Sequence, residues 1–153
     1  PYYLTGYLFR TIGELKHKPS LIVFTLQKEV AERIAARPPK MNKLAASVQL
    51  WADPEIIDYL RPADFSPPPK VQSAIIRLSI KKASNSAIVE LDANYSKYYK
   101  VVNLLFQQPR KTIKNNLRGT GLENHFKKLN LTGQERPQDL DIETINRLSR
   151  LIH

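Results

Sequence analysis

Phe65-Ser66-Pro67-Pro68-Pro69-Lys70-Val71-Gln72-Ser73-Ala74-Ile75-Ile76-Arg77-Leu78 joins one aromatic ring, three consecutive prolines and a lysine to a strand-like apolar run. Each proline holds φ near about −65°, lacks an N–H and pushes the residue before it out of the helical region, so residues 67–69 form an extended, stiff connector. In the run 71–80, Ala74, Ile76, Leu78 and Ile80 line one face, with Ser73 and Ile75 on the other. That pattern predicts a strand with both faces at least partly covered. Phe65 stands at the mouth of this anchored segment. A ring held so firmly is a core plug or a stacking platform, and the rest of the chain must decide which. The proline run also fits an SH3-type ligand, but its flanks are core-like and not those of a flexible tail.

Working outward, Leu21-Ile22-Val23-Phe24-Thr25-Leu26 reads as a buried strand and 55–60 as another. Between them, 27–37 is helical with Val30 and Ile34 on one face, and Pro38-Pro39 ends it. Asn42 is placed to cap a helix with Leu44, Val48 and Trp51 at i, i+4 and i+7, which Asp53-Pro54 should stop. A short helix fits 6–15. Past the polar stretch 81–86 the strand signals cease, and beyond about residue 91 the period becomes helical. Tyr95, Tyr98, Tyr99, Val102, Leu105 and Phe106 then share an apolar face. A second helix is expected from Gln108, with Pro109 in its first turn and Ile113 and Leu117 inward. Arg110, Lys114 and Arg118 fall at i, i+4 and i+8 as a basic stripe, with Lys111 beside it and Gly119 as the stop. Leu122, Phe126 and Leu129 suggest a third helix, and Asp141 caps a fourth carrying Ile142, Ile145, Leu148 and Leu151. The expected architecture is α/β over 1–86 followed by a small all-α domain over 87–153. Three strands are too few for a closed α/β sheet, so strands completing it are expected upstream of Pro1.

The composition, 42% apolar and 25% charged over 153 residues, is that of a folded globular chain. The charge is lopsided: 24 Lys and Arg against 14 Asp and Glu give +10, and a pI near 9.9 points to a polyanionic partner. Between residues 97 and 128, eight bases face the single acid Glu123. A run of like charge is usually a solvated helical face, but so strong an asymmetry favours nucleic acid. Without cysteine there are no disulfides or thiolate metal sites, which fits a reducing compartment. His17, His125 and His153 are scattered, so no metal site is expected. No apolar run approaches the ~20 residues of a membrane span, and there is no signal-peptide pattern. The five glycines make neither GxGxxG nor GxxxxGK[ST]; Gly119-Thr120-Gly121 reads as a turn between helices. No GxSxG and no distinctive carboxylate pair is present.

Four segments, in order, resemble one family. Pro1-Tyr2 is similar to the end of an Asn-Leu/Ile-Pro-Tyr motif, and residues 26–34 to LQKEVAERI. Residues 65–78 are similar to FxPPPKVDSAVVRL, with Gln72 where Asp is common. Residues 106–117 are similar to FxQRRKTLRNNL, with Pro109 replacing the first arginine. Together they resemble the KsgA-type (RsmA) rRNA adenine N6-dimethyltransferases and their eukaryotic relatives, almost from end to end. The Erm enzymes, which act on large-subunit rRNA, share the FxPxPKV element but differ in the helical domain. A non-catalytic rRNA-binding or ribosome-assembly module on the same fold is the alternative of a different class.

The resemblance implies a monomeric, cytoplasmic class I methyltransferase with a Rossmann-like sheet, using S-adenosylmethionine on two neighbouring adenines near the 3′ end of small-subunit rRNA. The cofactor-binding residues, and the Asn of the first motif, would lie upstream of Pro1. The adenine N6 amine is a poor nucleophile, so the base must be flipped, stacked and held in line with the sulfonium methyl. By this resemblance the Pro1 carbonyl accepts an amine hydrogen, Tyr2 stacks on the base and Phe65 covers the pocket. Stacking is worth ~1–3 kcal/mol per base. Lys70, Arg110, Lys111, Lys114 and Arg118 would contact RNA, supplying affinity and salt dependence and little sequence reading.

Overall fold

The computed structural model describes residues 5–15, 17–81 and 85–152. The chain divides into two compact units, Pro1–Ala36 with Val48–Lys82, and Arg37–Ser47 with Ala83–His153.

The first unit holds α1 (Thr5–Glu14), β1 (Leu21–Gln27), α2 (Lys28–Ala35), β2 (Ala52–Leu60) and β3 (Ser73–Ile80). The strands form one sheet in the order β1-β3-β2, with β3 antiparallel to both neighbours. The last strand in sequence therefore sits in the middle, which is why it is the most apolar: Ala74, Ile76 and Leu78 are fully buried. Ile76 lies opposite Phe24 on one side and Ile56 on the other. Helix α2 packs on all three strands and buries Ala31 and Ile34. Burying a side chain of the size of Ile34 or Ile76 contributes roughly 1.5–3 kcal/mol. Phe9 of α1 meets Phe24 edge to face, with ring centroids 5.7 Å apart. The other face of the sheet is covered less than expected. Ser73 is buried, but Leu21 and Val23 are 51% and 56% exposed, and Arg77 pairs with Glu55 in the open.

Asp53-Pro54 does not stop a helix but lies inside β2. A proline is tolerated there because β2 is an edge strand. A bulge between Ile56 and Asp58 leaves Ile57 outside the pairing. The preceding helix, α3 (Lys43–Gln49), is capped by Asn42, whose Oδ1 accepts from the Leu44 and Ala45 N–H groups at 3.1 Å each. Trp51 falls beyond its end, still buried. Gln49 is fully buried, and its Nε2 donates to the Ile34 and Ala36 carbonyls at 2.7 and 2.8 Å. It thereby serves carbonyls that the end of α2 leaves open.

The second unit is built on α4 (Asn85–Leu105), which begins earlier than the periodicity suggested, and α6 (Ile142–Ser149), which packs against it. Tyr98, Val101, Val102 and Leu105 of α4 and Ile145 and Leu148 of α6 are all buried. Asp141 caps α6, accepting from the Thr144 N–H at 2.8 Å. Residues 37–47 belong here because Tyr98 and Tyr99 donate their hydroxyls to the Ala46 and Ser47 carbonyls at 2.9 and 3.0 Å.

Two expectations fail in this unit. The helix from Gln108 does not form: residues 107–112 are a turn, and α5 (Ile113–Asn116) begins only after Thr112 caps it. Residues 122–129 are not one helix but two 3-10 turns, Leu122–His125 and Lys127–Leu129. Left-handed residues bracket them, Gly121 at φ 81° and Asn130 at φ 56°, and close the segment into a tight wrap that still buries Leu122 and Phe126.

Candidate nucleic-acid interface

The basic residues from 110 to 118 sit on three successive pieces of backbone. Arg110 and Lys111 lie on a four-residue turn closed by the Lys111 N–H donating to the Gln108 carbonyl at 2.9 Å. Lys114 is on α5, and Arg118 follows its end. All four side chains are exposed, and no ion pair among the described residues uses any of them. The expected stripe on one helix face is therefore replaced by a cluster on a turn, a single helical turn and the segment after it. Pro109 is at the second position of the closing turn, a place its fixed φ suits.

Backbone contacts hold this cluster. Ile113 N–H donates to Glu135 O at 2.8 Å and Lys114 N–H to Gly133 O at 3.2 Å. Glu135 organises the loop behind, accepting from the Thr132 and Gly133 N–H groups at 2.8 Å each. Partial burial pulls its pKa up, but the N–H groups of Thr132, Glu135 itself and Gly133, with the Thr132 hydroxyl, outweigh that and hold it below the usual range. Glu123, the lone acid of the basic stretch, turns away from it functionally. Its own N–H and that of Gly119, which donates at 2.8 Å, hold its pKa low, so it is a loop clasp and not a counter-ion for the cluster.

In the other unit, the stretch 61–72 links β2 to β3. A 3-10 turn, Pro62–Asp64, opens it, with Asp64 accepting from the Arg61 N–H at 2.8 Å and from its guanidinium at 3.1 Å. Both bonds depress the Asp64 pKa. Phe65 follows, half-buried, so it is not a sealed core ring, and Lys70 is exposed. Lys28 grips the far end of the stretch: its N–H donates to the Gln72 carbonyl at 3.0 Å and its ammonium to Gln72 Oε1 at 3.1 Å. The same ammonium lies 5.3 Å from the Tyr59 ring centroid, a cation–π distance. Pro1 and Tyr2 lie outside the described residues.

A family model described as "Ribosomal RNA adenine dimethylase" matches residues 1–153. The chain belongs to the ribosomal RNA adenine dimethylase family. Among curated relatives, it is similar to Ribosomal RNA small subunit methyltransferase A of Hydrogenovibrio crunogenus, 36% identical over 133 residues that are 85% of this chain and 48% of that protein. It is similar also to the protein of the same name from Neisseria gonorrhoeae, 30% identical over 154 residues, 99% of this chain and 58% of that protein. The chain spans about half the length of the curated relatives it matches. A solved dimethyladenosine transferase from Plasmodium falciparum shares the fold, with a TM-score of 0.78 at 21% identity over 97% of this chain and 62% of that one. The 23S rRNA methyltransferase ErmE does so with 0.64 at 19%, over 98% and 61%. The α/β class of the first unit is thus that of the dimethylase family.

The sequence pointed to the four bases of this chain but not to what holds them. Thr112, Asn116, Gly133 and Glu135 do that, and only the cap preference of Thr112 was a local signal.

Proposed function

We propose that the protein carrying this chain dimethylates N6 of two adjacent adenines in small-subunit rRNA with S-adenosylmethionine as methyl donor. The observation that carries this reading is the family match over the whole of residues 1–153. The chain divides the work: the α/β portion, 1–86, takes the flipped base, and the helical portion, 87–153, joined by 37–47, takes the RNA backbone. Phe65, on its half-buried perch, covers the base that Tyr2 stacks and whose amine the Pro1 carbonyl accepts. Arg110, Lys111, Lys114 and Arg118, with Lys70, meet phosphates. Exposure and the lack of ion pairs among the described residues support that role.

S-adenosylmethionine is not accommodated by the described residues. Gly6 and Gly13 lie in α1, while Gly119, Gly121 and Gly133 lie in turns of the helical unit, so among the described residues no glycine-rich turn follows a strand. The residues that would hold it lie outside the described ones.

The test is an RNA-hairpin titration across a salt series. Replacing Arg110, Lys111 and Lys114 by alanine weakens binding and lowers the slope of log K against log salt by about 2–3, one phosphate contact being worth about 0.7–0.9. An unchanged slope refutes this interface. A calorimetric titration of the 153-residue chain with S-adenosylmethionine gives no heat of binding; tight binding would show a cofactor site within the chain.

A further inference from the structure

Two of the four cluster bases sit on a turn that has little of its own to hold it. Residues 107–112 lie outside regular helix, and the 108–111 turn is closed by a single backbone bond. Asn116, half-buried on the last position of α5, supplies the rest. Its Nδ2 donates to the carbonyls of Gln108, Lys111 and Thr112 at 3.1, 3.3 and 3.2 Å, two hydrogens shared among three acceptors. Its Oδ1 accepts from the Gln108 N–H at 3.2 Å. One amide therefore holds both backbone groups of the first turn residue and the carbonyl of the last. Arg110, between them, is fixed at both ends. A shorter side chain reaches fewer carbonyls, and a carboxylate has no hydrogens to give.

We propose that Asn116 is a positioning residue for nucleic-acid binding, fixing the turn that presents Arg110 and Lys111 before RNA arrives. This rests on the RNA-interface reading above. A phosphate-binding pair on a loose turn must be ordered on binding, and that ordering subtracts from affinity. Asn116 removes the subtraction by ordering the turn in the free protein, without touching RNA itself.

The experiment is a double-mutant cycle on the 153-residue chain, read by fluorescence anisotropy with a fluorescein-labelled RNA hairpin at several salt concentrations. Asn116→Ala weakens binding about fivefold to tenfold in the wild-type background. In the Arg110→Ala/Lys111→Ala background the same change weakens it less than about twofold, because the groups it positions are gone. Asn116→Ser, which retains one donor, gives an intermediate loss and serves if the alanine variant lacks a native circular dichroism spectrum. An equal fold-loss in both backgrounds, or none in the wild-type background, overturns the positioning role. If Arg110→Ala/Lys111→Ala itself leaves binding unchanged, the RNA interface fails and the positioning role with it.

Discussion

Gly133→Ala tests how tightly the basic cluster is backed. Gly133 has φ 84°, and a Cβ built there would lie 3.0 and 3.1 Å from Phe126 Cδ2 and Cε2 and 3.3 Å from Lys114 Cβ. Carbon contacts are at rest at about 3.5–4.0 Å, so the ring must give. It has little freedom to do so: Phe126 is buried, and its carbonyl accepts from the Leu129 and Leu131 N–H groups at 3.0 and 2.8 Å. Holding alanine in the left-handed region costs roughly 1–2 kcal/mol, and forcing extra volume into a packed site adds about 1–3. The sum is about 2–5 kcal/mol. Gly119→Ala and Gly121→Ala are the internal control. Both have positive φ, 78° and 81°, yet a Cβ at either meets nothing within 4 Å, so each loses only the conformational part. Hydrogen exchange at the Leu117 amide, bonded to Ile113 O at 2.9 Å, reports the helical unit by itself. Gly133→Ala should lower its protection beyond either control by an amount equivalent to about 1–3 kcal/mol. Equal losses at all three positions would refute the close-packing argument while leaving the backbone one intact.

Tyr98→Phe leaves the Ala46 carbonyl without the hydroxyl it accepts from and should destabilise by about 1–3 kcal/mol in urea denaturation, with the half-buried Tyr99→Phe costing less. Glu123 and Glu135 have folded pKa values below their ordinary 4.5, so the unfolded chain takes up protons first. Stability is full above that value and falls as pH drops through it; Glu135→Gln should flatten this acid limb in pH-dependent thermal melts. Gln72→Glu turns the bond from Lys28 into an ion pair, and since that bond is exposed it should stabilise by no more than about 1 kcal/mol and lose that gain in high salt.

The strands were legible because short apolar runs bounded by prolines have few other readings. Their order was not. Placing β3 between β1 and β2 is a matter of pairing residues from 13 (Leu60 with Ser73) to 58 (Leu21 with Ser79) positions apart, which no local pattern encodes. Pro54 misled because a proline stops helices and also sits in edge strands, and only the sheet tells which. The 107–112 turn was missed for a similar reason. Pro109 suits the first turn of a helix and the second place of a β-turn equally well, and Arg110, Lys114 and Arg118 have helical spacing by coincidence. What decides is Asn116, whose amide competes for backbone carbonyls in a way that spacing does not display. The choice of Phe65 as pocket cover came from family likeness; its half-burial alone would not have produced it.

The two rims of the sheet are unlike in their sociability. β2 carries Pro54 and a bulge at Ile57, both of which spoil the regular ladder an incoming strand would need. β1 has neither device along Leu21–Gln27, and among the described residues only β3 pairs with it. Its open N–H and C=O groups, beside exposed Leu21 and Val23, make it a template. The sheet is thus polarised: β2 carries devices that resist an added strand, and β1 is the flank that would accept one.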